Sequence, residues 1–328
     1  MIPDHFVLAG TDVAVPPLGV GTWAWGDRAT WGMGGYDADL TQATILDAWQ
    51  ASIDAGVTLF DTAEVYGGGE SERIIGSLLR DDPTRAGRAV VATKFMPSPW
   101  KLDVKGALLR SLRGSLARLG LPTVDLYQLH GPISLRSHSA LADALAAAHQ
   151  AGLLRAIGVS NYSVKETWAM AAALSQRGLA LATNQIEFSL LRRSPESSGL
   201  LSACAELGVL PLAYSPIGQG RLTGKYSAAK PPPGNRQFSN HPMPVVDAVV
   251  EQLRRVGDKH GGKLPSQVAL NWVMCKGAVP IPGAKSRAQA EENAGAVGWS
   301  LDEEDLERLD AVALPGIRDL RSRMWQHG

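Results

Sequence analysis

Short apolar segments alternate with longer amphipathic segments along nearly the whole chain, and this alternation restricts the fold more than any other feature of the sequence. Eight of the apolar segments predict β-strands, because each is short and rich in β-branched or aliphatic residues, as a strand buried on both faces must be. The predicted strands span residues 18–22, 58–61, 89–94, 124–130, 156–160, 182–187, 209–214 and 279–281. Such strands belong in a sheet that is covered on both sides.

The amphipathic segments between these strands predict helices over residues 41–55, 70–79, 104–119, 139–151, 164–177 and 199–207. Most of them are followed by a glycine, which suits the left-handed conformation after the last helical turn. Strands that alternate with helices indicate a parallel sheet. Eight such units in about 300 residues fit a closed (β/α)₈ TIM barrel better than an open sheet with a second domain. The sequence therefore predicts one α/β domain over residues 1–328, with a barrel core from about 18 to 310.

A proline-rich break at residues 226–244 follows the seventh predicted strand. It is interpreted as a long loop at the active-site end of the barrel. A linker to a second domain is the weaker interpretation, because the residues beyond the break carry only one predicted strand.

The charge balance excludes some classes of partner. The chain has 32 Lys and Arg residues against 32 Asp and Glu residues, so no strong basic field favours nucleic acid or a membrane surface. The N-terminus lacks the features of a signal peptide, and no apolar run approaches the roughly 18 residues of a membrane helix. The two cysteines, Cys204 and Cys275, are expected to be buried free thiols. These features predict a cytoplasmic protein, and they leave open both a small anionic ligand and the oligomeric state.

Polar side chains occupy the carboxyl ends of several predicted strands. The second strand ends at Asp61, the third at Lys94 and the fourth at His130, and Tyr66 lies five residues after Asp61. Taken singly, each has an ordinary explanation as a helix cap, a solvated charge or a structural histidine. In such barrels, however, closure turns the strand ends toward one another and the chemistry sits at that face. The four residues together therefore predict an active site.

Six motifs, in one order along the chain, resemble the aldo-keto reductase family. They are FDTAEVYG at residues 60–67, VATKF at 91–95, LYQLH at 126–130, IGVSN at 157–161, AYSPI at 213–217 and IPGAKSRAQAEEN at 281–293. The resemblance extends from about residue 18 to residue 310 and is greatest to the branch of pyridoxal reductases and potassium-channel β-subunits. It implies the reduction of an aldehyde or ketone to an alcohol with NADPH.

By this resemblance, Asp61, Tyr66, Lys94 and His130 form a catalytic tetrad, and the chemistry of carbonyl reduction agrees with it. Addition of hydride builds negative charge on the carbonyl oxygen, which needs a proton donor. Tyr66 is expected to be that donor, and Lys94 is expected to lower its pKa. Asp61 would hold Lys94, and His130 would orient the carbonyl. No metal is expected, because metal-ligand spacings are missing from the sequence.

A cofactor site has to be assigned without the Gly-x-Gly-x-x-Gly motif of the open-sheet dehydrogenases, which follows none of the predicted strands. The resemblance implies that Ser160, Asn161 and Gln185 bind the nicotinamide carboxamide and that Tyr214 stacks on the ring. It implies further cofactor contacts at Gly21, Thr22, Trp23, Asp61, Ser215, Pro216, Ile217, Gly218, Gly220, Leu222, Gly283, Gln289, Glu292 and Asn293.

Charge predicts a preference for NADPH over NADH, since the additional 2′-phosphate needs cations. The candidate cations are Lys225, Arg236, Lys285 and Arg287. Of these, Lys225 and Arg236 match positions that the channel β-subunit subgroup uses.

Two tryptophans lie in loops beside the predicted tetrad. Trp23 and Trp100 are expected to line the substrate site, where indole rings would suit a flat aromatic aldehyde such as pyridoxal. The predicted function is general aldehyde or ketone reduction, with pyridoxal reduction as a narrower alternative. Two further alternatives stay open: an NADPH-binding regulatory subunit, and a barrel lyase that grips a phosphate at residues 283–286 and forms a Schiff base at Lys94.

Overall fold

The structure, a computed structural model, describes residues 2–26, 40–233, 238–317 and 324–328. An antiparallel hairpin of β1 (Phe6–Val7) and β2 (Ala14–Val15) precedes a parallel sheet of eight strands in this part of the chain. The sheet contains β3 (Gly19–Gly21), β4 (Leu59–Asp61), β5 (Val90–Phe95), β6 (Val124–Leu129), β7 (Leu154–Ser160), β8 (Thr183–Glu187), β9 (Leu210–Tyr214) and β10 (Val279–Pro280). Each strand pairs with the next one along the chain.

The sheet closes on itself at the first and last strands. The backbone N–H of Gly21 donates to the carbonyl of Pro282 at 2.9 Å, and Gly21 forms a parallel bridge with Gly283. A side chain at Gly21 would not fit, because its Cβ would lie 2.8 Å from the carbonyl oxygen of Ile281. The predicted (β/α)₈ barrel is thereby confirmed.

Helices follow the strands along the chain. They are α1 (Trp23–Gly26), α2 (Gln42–Asp54), α3 (Glu70–Asp81), α4 (Pro83–Ala86), α5 (Val104–Leu119), α6 (His138–Gln150), α7 (Val164–Ser175), α8 (Ser194–Ser197), α9 (Leu200–Leu207), α10 (Met243–Lys259), α11 (Pro265–Cys275), α12 (Arg287–Ala294) and α13 (Glu303–Val312). Two 3₁₀ turns, Tyr66–Gly69 and Gly218–Thr223, follow β4 and β9.

Local sequence determines several helix ends. The side chain of Ser163 accepts a hydrogen bond from the N–H of Glu166, whose carboxylate accepts from Ser163 in return, so α7 begins with a capping box. Helix α5 ends at Gly120, which adopts the left-handed conformation with φ 69°. Its bounds are those predicted from the sequence.

The proline-rich loop is shorter than predicted. Helix α10 begins at Met243, so the loop expected at residues 226–244 ends at Pro242. Pro242 caps this helix and Pro244 lies in its first turn, where a missing N–H costs no hydrogen bond. These two prolines therefore start a helix, and the prediction that both belong to the loop is wrong.

The strands lie between two apolar layers, one inside the barrel and one outside it. Inside the barrel, small and aliphatic strand residues such as Leu59, Ala92 and Leu126 pack together with Leu8 and Val15 of the hairpin segment. A larger cluster lies between strands and helices. None of the described helices combines the length and apolar composition needed to cross a membrane.

The two cysteines differ in burial. Both are free, but only Cys204 is buried, and its burial raises the pKa of the thiol to about 12. Cys275 is partly exposed near the end of α11, so the expectation that both are buried is wrong for Cys275.

Candidate active site

Three strands and one turn bring four ionisable side chains together at the carboxyl end of the barrel. Asp61 ends β4, Lys94 lies on β5, His130 follows β6, and Tyr66 opens the turn after β4. The Nζ atom of Lys94 donates to Asp61 Oδ2 at 2.5 Å and to Tyr66 OH at 3.2 Å. The rings of Tyr66 and His130 meet edge to face, with centroids 5.5 Å apart. The predicted tetrad residues thus form one cluster.

The ammonium group of Lys94 is fully buried. Burial lowers the pKa of Lys94, and the charge of Asp61 opposes this effect. A buried ion is tolerated when each of its hydrogen-bonding positions finds a partner. Here the ammonium donates one hydrogen bond each to Asp61, to Tyr66 and to the carbonyl of Thr62, the last at 2.8 Å.

A buried hydroxyl network holds the backbone beside this ion pair. Thr22 Oγ1 donates to the carbonyl of Asp61 at 2.9 Å, and Thr62 Oγ1 donates to Ser71 Oγ at 2.8 Å. Ser71 Oγ in turn donates to the carbonyl of Thr22 at 3.0 Å. The first turn of α3 therefore ties β3 to β4 and fixes the carbonyl that Lys94 uses.

The acidity of Tyr66 differs from the expectation. Burial raises the pKa of the Tyr66 phenol well above its usual range, and the negative charge of Asp61 raises it further. Because Asp61 pairs directly with Lys94, it offsets the field of that cation at the phenol. The expected net lowering of the Tyr66 pKa is therefore wrong for this arrangement of charges, although the hydrogen bond from Lys94 to the phenol oxygen still favours the phenolate. Tyr66 is a neutral hydrogen-bond donor at neutral pH.

His130 is also neutral at this pH. Burial lowers the pKa of the His130 imidazole well below its usual range, and the charge of Lys94 lowers it further. Its Nδ1 atom is buried and has no hydrogen-bond partner among the described residues. A neutral imidazole can donate one N–H, so His130 can bind an oxygen without carrying charge.

A cavity of about 270 Å³ lies against this cluster. The predicted residues in its wall are Gly21, Thr22, Trp23, Asp61, Tyr66, His130, Ser160, Asn161, Gln185, Tyr214, Ser215, Pro216, Ile217, Gly220, Lys225, Gly283, Lys285, Gln289, Glu292 and Asn293. Chain segments far apart in sequence therefore meet around one space, as a dinucleotide site requires.

A few predicted residues are not in the cavity wall. Lys94 contacts the wall residues Asp61 and Tyr66 from behind, and the described residues Gly218 and Leu222 are buried in the turn after β9. Trp100 is 77% exposed, and the structure does not bring it to the cavity.

Of the described candidate cations, Arg287 is not in the wall. Arg287 lies near Asp47 and Glu291, at 3.9 and 3.6 Å. Arg236 lies outside the described residues.

Backbone strain marks one part of the wall. Asn161 and Ser215 have positive φ values of 62° and 51°, which side chains other than glycine rarely adopt. Such strain persists only where the surroundings enforce it, and it clusters at binding sites. Here the N–H of Asn161 donates to the carbonyl of Gln185 at 2.8 Å, and Tyr214 OH donates to Asn161 Oδ1 at 2.9 Å. The predicted nicotinamide residues thus hold one another in place.

Another part of the wall suits an anion. Lys225 and Lys285 contribute cations, and Ser286 caps the N-terminus of α12. Lys225 lies 3.6 Å from Glu292, which also accepts from Ser266 at 2.6 Å. The amides, cations and backbone turns of the wall together fit a phosphorylated dinucleotide.

Comparisons with known proteins agree with this geometry. Residues 17–314 match the model of the Aldo/keto reductase family. The chain is 37% identical to the chloroplastic pyridoxal reductase of Arabidopsis thaliana, over 96% of this chain and 87% of that protein.

Two solved structures are similar to this chain over nearly its whole length. A glycerol dehydrogenase from Gluconobacter oxydans has a TM-score of 0.80 and 28% identity, covering 97% of this chain and 98% of that one. A thermostable aldo-keto reductase, Tm1743, has a TM-score of 0.73 and 29% identity, covering 94% and 99%. The chain belongs to the aldo/keto reductase family. It is therefore related to oxidoreductases over nearly its whole length.

One wall element of this aldo/keto reductase comes from the basic C-terminal tail, for which the sequence left open either partial disorder or a cap on the barrel. The described C-terminal residues 324–328 reach the cavity, and the ring of Trp325 meets that of His130 at 5.7 Å between centroids. Gln326 donates to Tyr214 OH at 3.0 Å and to the buried carboxylate of Glu187. The basic composition of the tail did not identify the contacting residues, because the contacts involve single polar atoms and one indole.

A second missed residue is Phe238, which lines the cavity and packs edge to face on Trp23 and Tyr214. It lies in the proline-rich loop, where the sequence has no periodic pattern that would predict which side chains are buried. No three His, Cys, Asp or Glu side chains of the described residues are placed to hold a metal ion.

Proposed function

We propose that this aldo/keto reductase family member reduces aldehydes or ketones to alcohols with NADPH, using Tyr66 as the proton donor. One observation carries the proposal: Lys94 Nζ lies 3.2 Å from Tyr66 OH and pairs with Asp61, while Tyr66 and His130 both line the cavity. A phenol beside a neutral imidazole in a shared wall can bind one carbonyl oxygen from two directions.

The proposed chemistry divides between cofactor and protein. Bound NADPH supplies a hydride to the carbonyl carbon. Tyr66 donates its proton to the carbonyl oxygen as negative charge develops there. Lys94 stabilises the phenolate that results, and His130 orients the oxygen through its N–H. Asp61 keeps Lys94 charged and in place.

The wall supports the cofactor assignment. Ser160, Asn161 and Gln185 would bind the carboxamide, and Tyr214 would stack on the nicotinamide ring. Lys225 and Lys285 give two cations for a 2′-phosphate, which favours NADPH over NADH. Helix α12 would face the adenosine with Gln289, Glu292 and Asn293.

Aromatic rings in the wall favour a flat substrate. Trp325 packs against His130, and Trp23 packs against Phe238. A planar aldehyde near His130 would lie between such rings at low entropic cost. Pyridoxal, the substrate in the name of the Arabidopsis thaliana relative, has this shape and is the substrate that we propose to test first. A cytoplasmic location stays a prediction.

Steady-state reduction of pyridoxal and of 4-nitrobenzaldehyde, each with NADPH and with NADH, tests the proposal. We expect turnover of both aldehydes. The kcat/KM with NADPH should be at least about tenfold higher than with NADH, because NADH lacks the 2′-phosphate and so loses a charged contact. Binding of NADPH without reduction of either aldehyde would instead favour a regulatory subunit. Failure to bind NADPH would contradict the cofactor assignment.

A further inference from the structure

The carboxylate of Asp61 is held by two buried amides in addition to Lys94. Gln128 Nε2 donates to Asp61 Oδ1 at 3.1 Å, and Gln185 Nε2 donates to the same oxygen at 2.7 Å. Lys94 binds the other oxygen, Oδ2. Gln185 has a proposed cofactor role, but Gln128 has none. It lies on β6, two residues before His130, and is fully buried.

The chemistry of the carboxylate fixes how both amides are oriented. An ionised carboxylate paired with a cation accepts hydrogen bonds and cannot donate them. Both glutamines must therefore turn their NH₂ groups toward Asp61. The Oε1 atom of Gln128 then accepts from the hydroxyl of Thr183 on β8 at 3.4 Å and from Nε2 of Gln185 at 3.5 Å. The hydrogen bonds run in one direction, from Thr183 through Gln128 to Asp61.

The barrel leaves space for this chain of hydrogen bonds at one glycine. Strand β7 lies between β6 and β8, so a contact from Gln128 to Thr183 has to cross it. It crosses at Gly158, where an added Cβ would lie 2.1 Å from Thr183 Oγ1 and 2.8 Å from Gln128 Cγ. Any larger residue at position 158 would displace one of the two partners.

We infer that Gln128 is a positioning residue for carbonyl reduction, because it fixes the rotation of the Asp61 carboxylate and so the place of Lys94. With Oδ1 held by the two amides, Oδ2 faces Lys94 Nζ, which then lies within reach of Tyr66 OH. Reacting groups tolerate little misplacement, and a small shift of a catalytic group costs rate more than binding. The inference rests on the tetrad roles proposed above.

A purely structural role makes a different prediction. If Gln128 only fills volume in the barrel, a residue of similar size should replace it without loss of rate. Methionine has nearly the same length and bulk but donates no hydrogen bond. Gln128→Met therefore removes the donor to Asp61 and keeps the packing.

The test measures the single-turnover rate of NADPH oxidation at saturating 4-nitrobenzaldehyde in wild type, Gln128→Met, Thr167→Val and Tyr66→Phe. Thr167→Val is the matched control, since it removes a buried hydroxyl on α7 that donates to the carbonyl of Ser163, accepts from Asn184 and is not in the cavity wall. We expect Gln128→Met to lower the rate about tenfold or more, as for a lost hydrogen bond to a charged group. Aldehyde KM and NADPH Kd should change by less than about threefold, and Thr167→Val should keep the wild-type rate.

Two results would overturn the inference. One is a Gln128→Met rate within about twofold of wild type while Tyr66→Phe is inactive. The other is a lower rate accompanied by proportional increases in the aldehyde KM and the NADPH Kd, which would indicate general damage to the site. A wild-type rate in Tyr66→Phe would reject the proposed acid itself, which is a separate failure. If Gln128→Met does not fold, Thr183→Val, which removes one of the two donors that orient Gln128, has to lower the rate about threefold with KM unchanged.

Discussion

At the scale of single residues, charge and burial act together around Lys94. The ion pair with Asp61 lies in the barrel interior and is balanced only because every donor of the ammonium has a partner. The same burial keeps Tyr66 protonated and His130 neutral. The site therefore holds one buried cation, one buried anion and two neutral groups that can donate to an oxygen.

These protonation states predict a flat pH dependence of kcat/KM for reduction. Reduction needs protonated Tyr66, so activity is present below the raised pKa of Tyr66 and is lost only as the pH rises through it. Neutral His130 persists above its lowered pKa. Between about pH 6 and 9 neither group should titrate in the free enzyme. A profile measured over this range should vary by less than about threefold. A bell-shaped pH profile of kcat/KM with limbs near neutral pH would contradict the assigned protonation states.

Removal of the buried cation should be costly for stability. Lys94→Met leaves the carboxylate of Asp61 buried without its counter-ion, which costs about 3 kcal/mol or more in the free energy of unfolding. The exposed pair of Arg73 and Glu70 gives a matched comparison, because such pairs contribute about 1 kcal/mol at most. Urea unfolding of Lys94→Met and Arg73→Met measures both. Equal losses would show that Lys94 is not held as an ion.

At the scale of elements, the described C-terminal segment adds an indole to the wall. Residues 324–328 are anchored by Gln326 on Glu187 and Tyr214 and by His327, whose N–H donates to the carbonyl of Asn161 at 3.2 Å. They thereby connect the side of the cavity beside His130 to the proposed nicotinamide residues. Gly131 lies beneath this segment, and an added Cβ there would meet the Trp325 ring at 2.9 Å.

Trp325→Ala should therefore weaken the binding of aromatic aldehydes. One aromatic contact corresponds to a KM increase of up to about tenfold for 4-nitrobenzaldehyde, and a small aliphatic aldehyde should show almost no change. Met324→Ala is the control, because Met324 is 66% exposed. KM values for both aldehydes in both variants check this. A rise for both aldehydes alike would mean that Trp325 supports the fold of the site and does not select substrates.

At the scale of the whole molecule, closure of the barrel depends on the contact between β3 and the segment after β10. Gly21 allows this contact, because a Cβ there would strike the carbonyl of Ile281. A Cβ added at Gly283, on the other side of the same bridge, would have no described neighbour nearer than 3.8 Å. The two glycines therefore form a natural pair for testing closure.

Gly21→Ala should lower the free energy of unfolding by about 1–3 kcal/mol, the usual cost of overpacking a tight site. Gly283→Ala should change it by less than about 0.5 kcal/mol. Thermal or urea unfolding of both variants measures the difference. Similar losses in the two would contradict a closure controlled by the space at Gly21.

Much of this architecture could be predicted from the sequence. The predicted strands agree with the observed ones to within two residues at each end, since buried parallel strands have a strong apolar pattern. Helices α10, α11 and α13, the short helices α1, α4 and α8, and the hairpin β1–β2 were not predicted. The prolines around Met243 suggested a loop, and strands of two residues are too short for any periodicity.

The candidate site was predictable where its residues end strands. Asp61, Lys94 and His130 could be grouped because barrel closure brings those ends together. Gln128 and Trp325 could not, since their roles depend on contacts across β7 and from the far end of the chain. The acidity of Tyr66 was mispredicted for a similar reason: the sequence shows neither the depth of its burial nor how directly Asp61 pairs with Lys94.

The central claim is that Tyr66 donates the proton in an NADPH-dependent reduction. The most direct test is the single-turnover rate of NADPH oxidation with 4-nitrobenzaldehyde, measured for wild type and for Tyr66→Phe. The account predicts a loss of at least about a hundredfold, the expected effect of removing a general acid. It also predicts an NADPH Kd within about threefold of wild type, because the phenol is not proposed to hold the cofactor. A variant that keeps the wild-type rate would contradict the account.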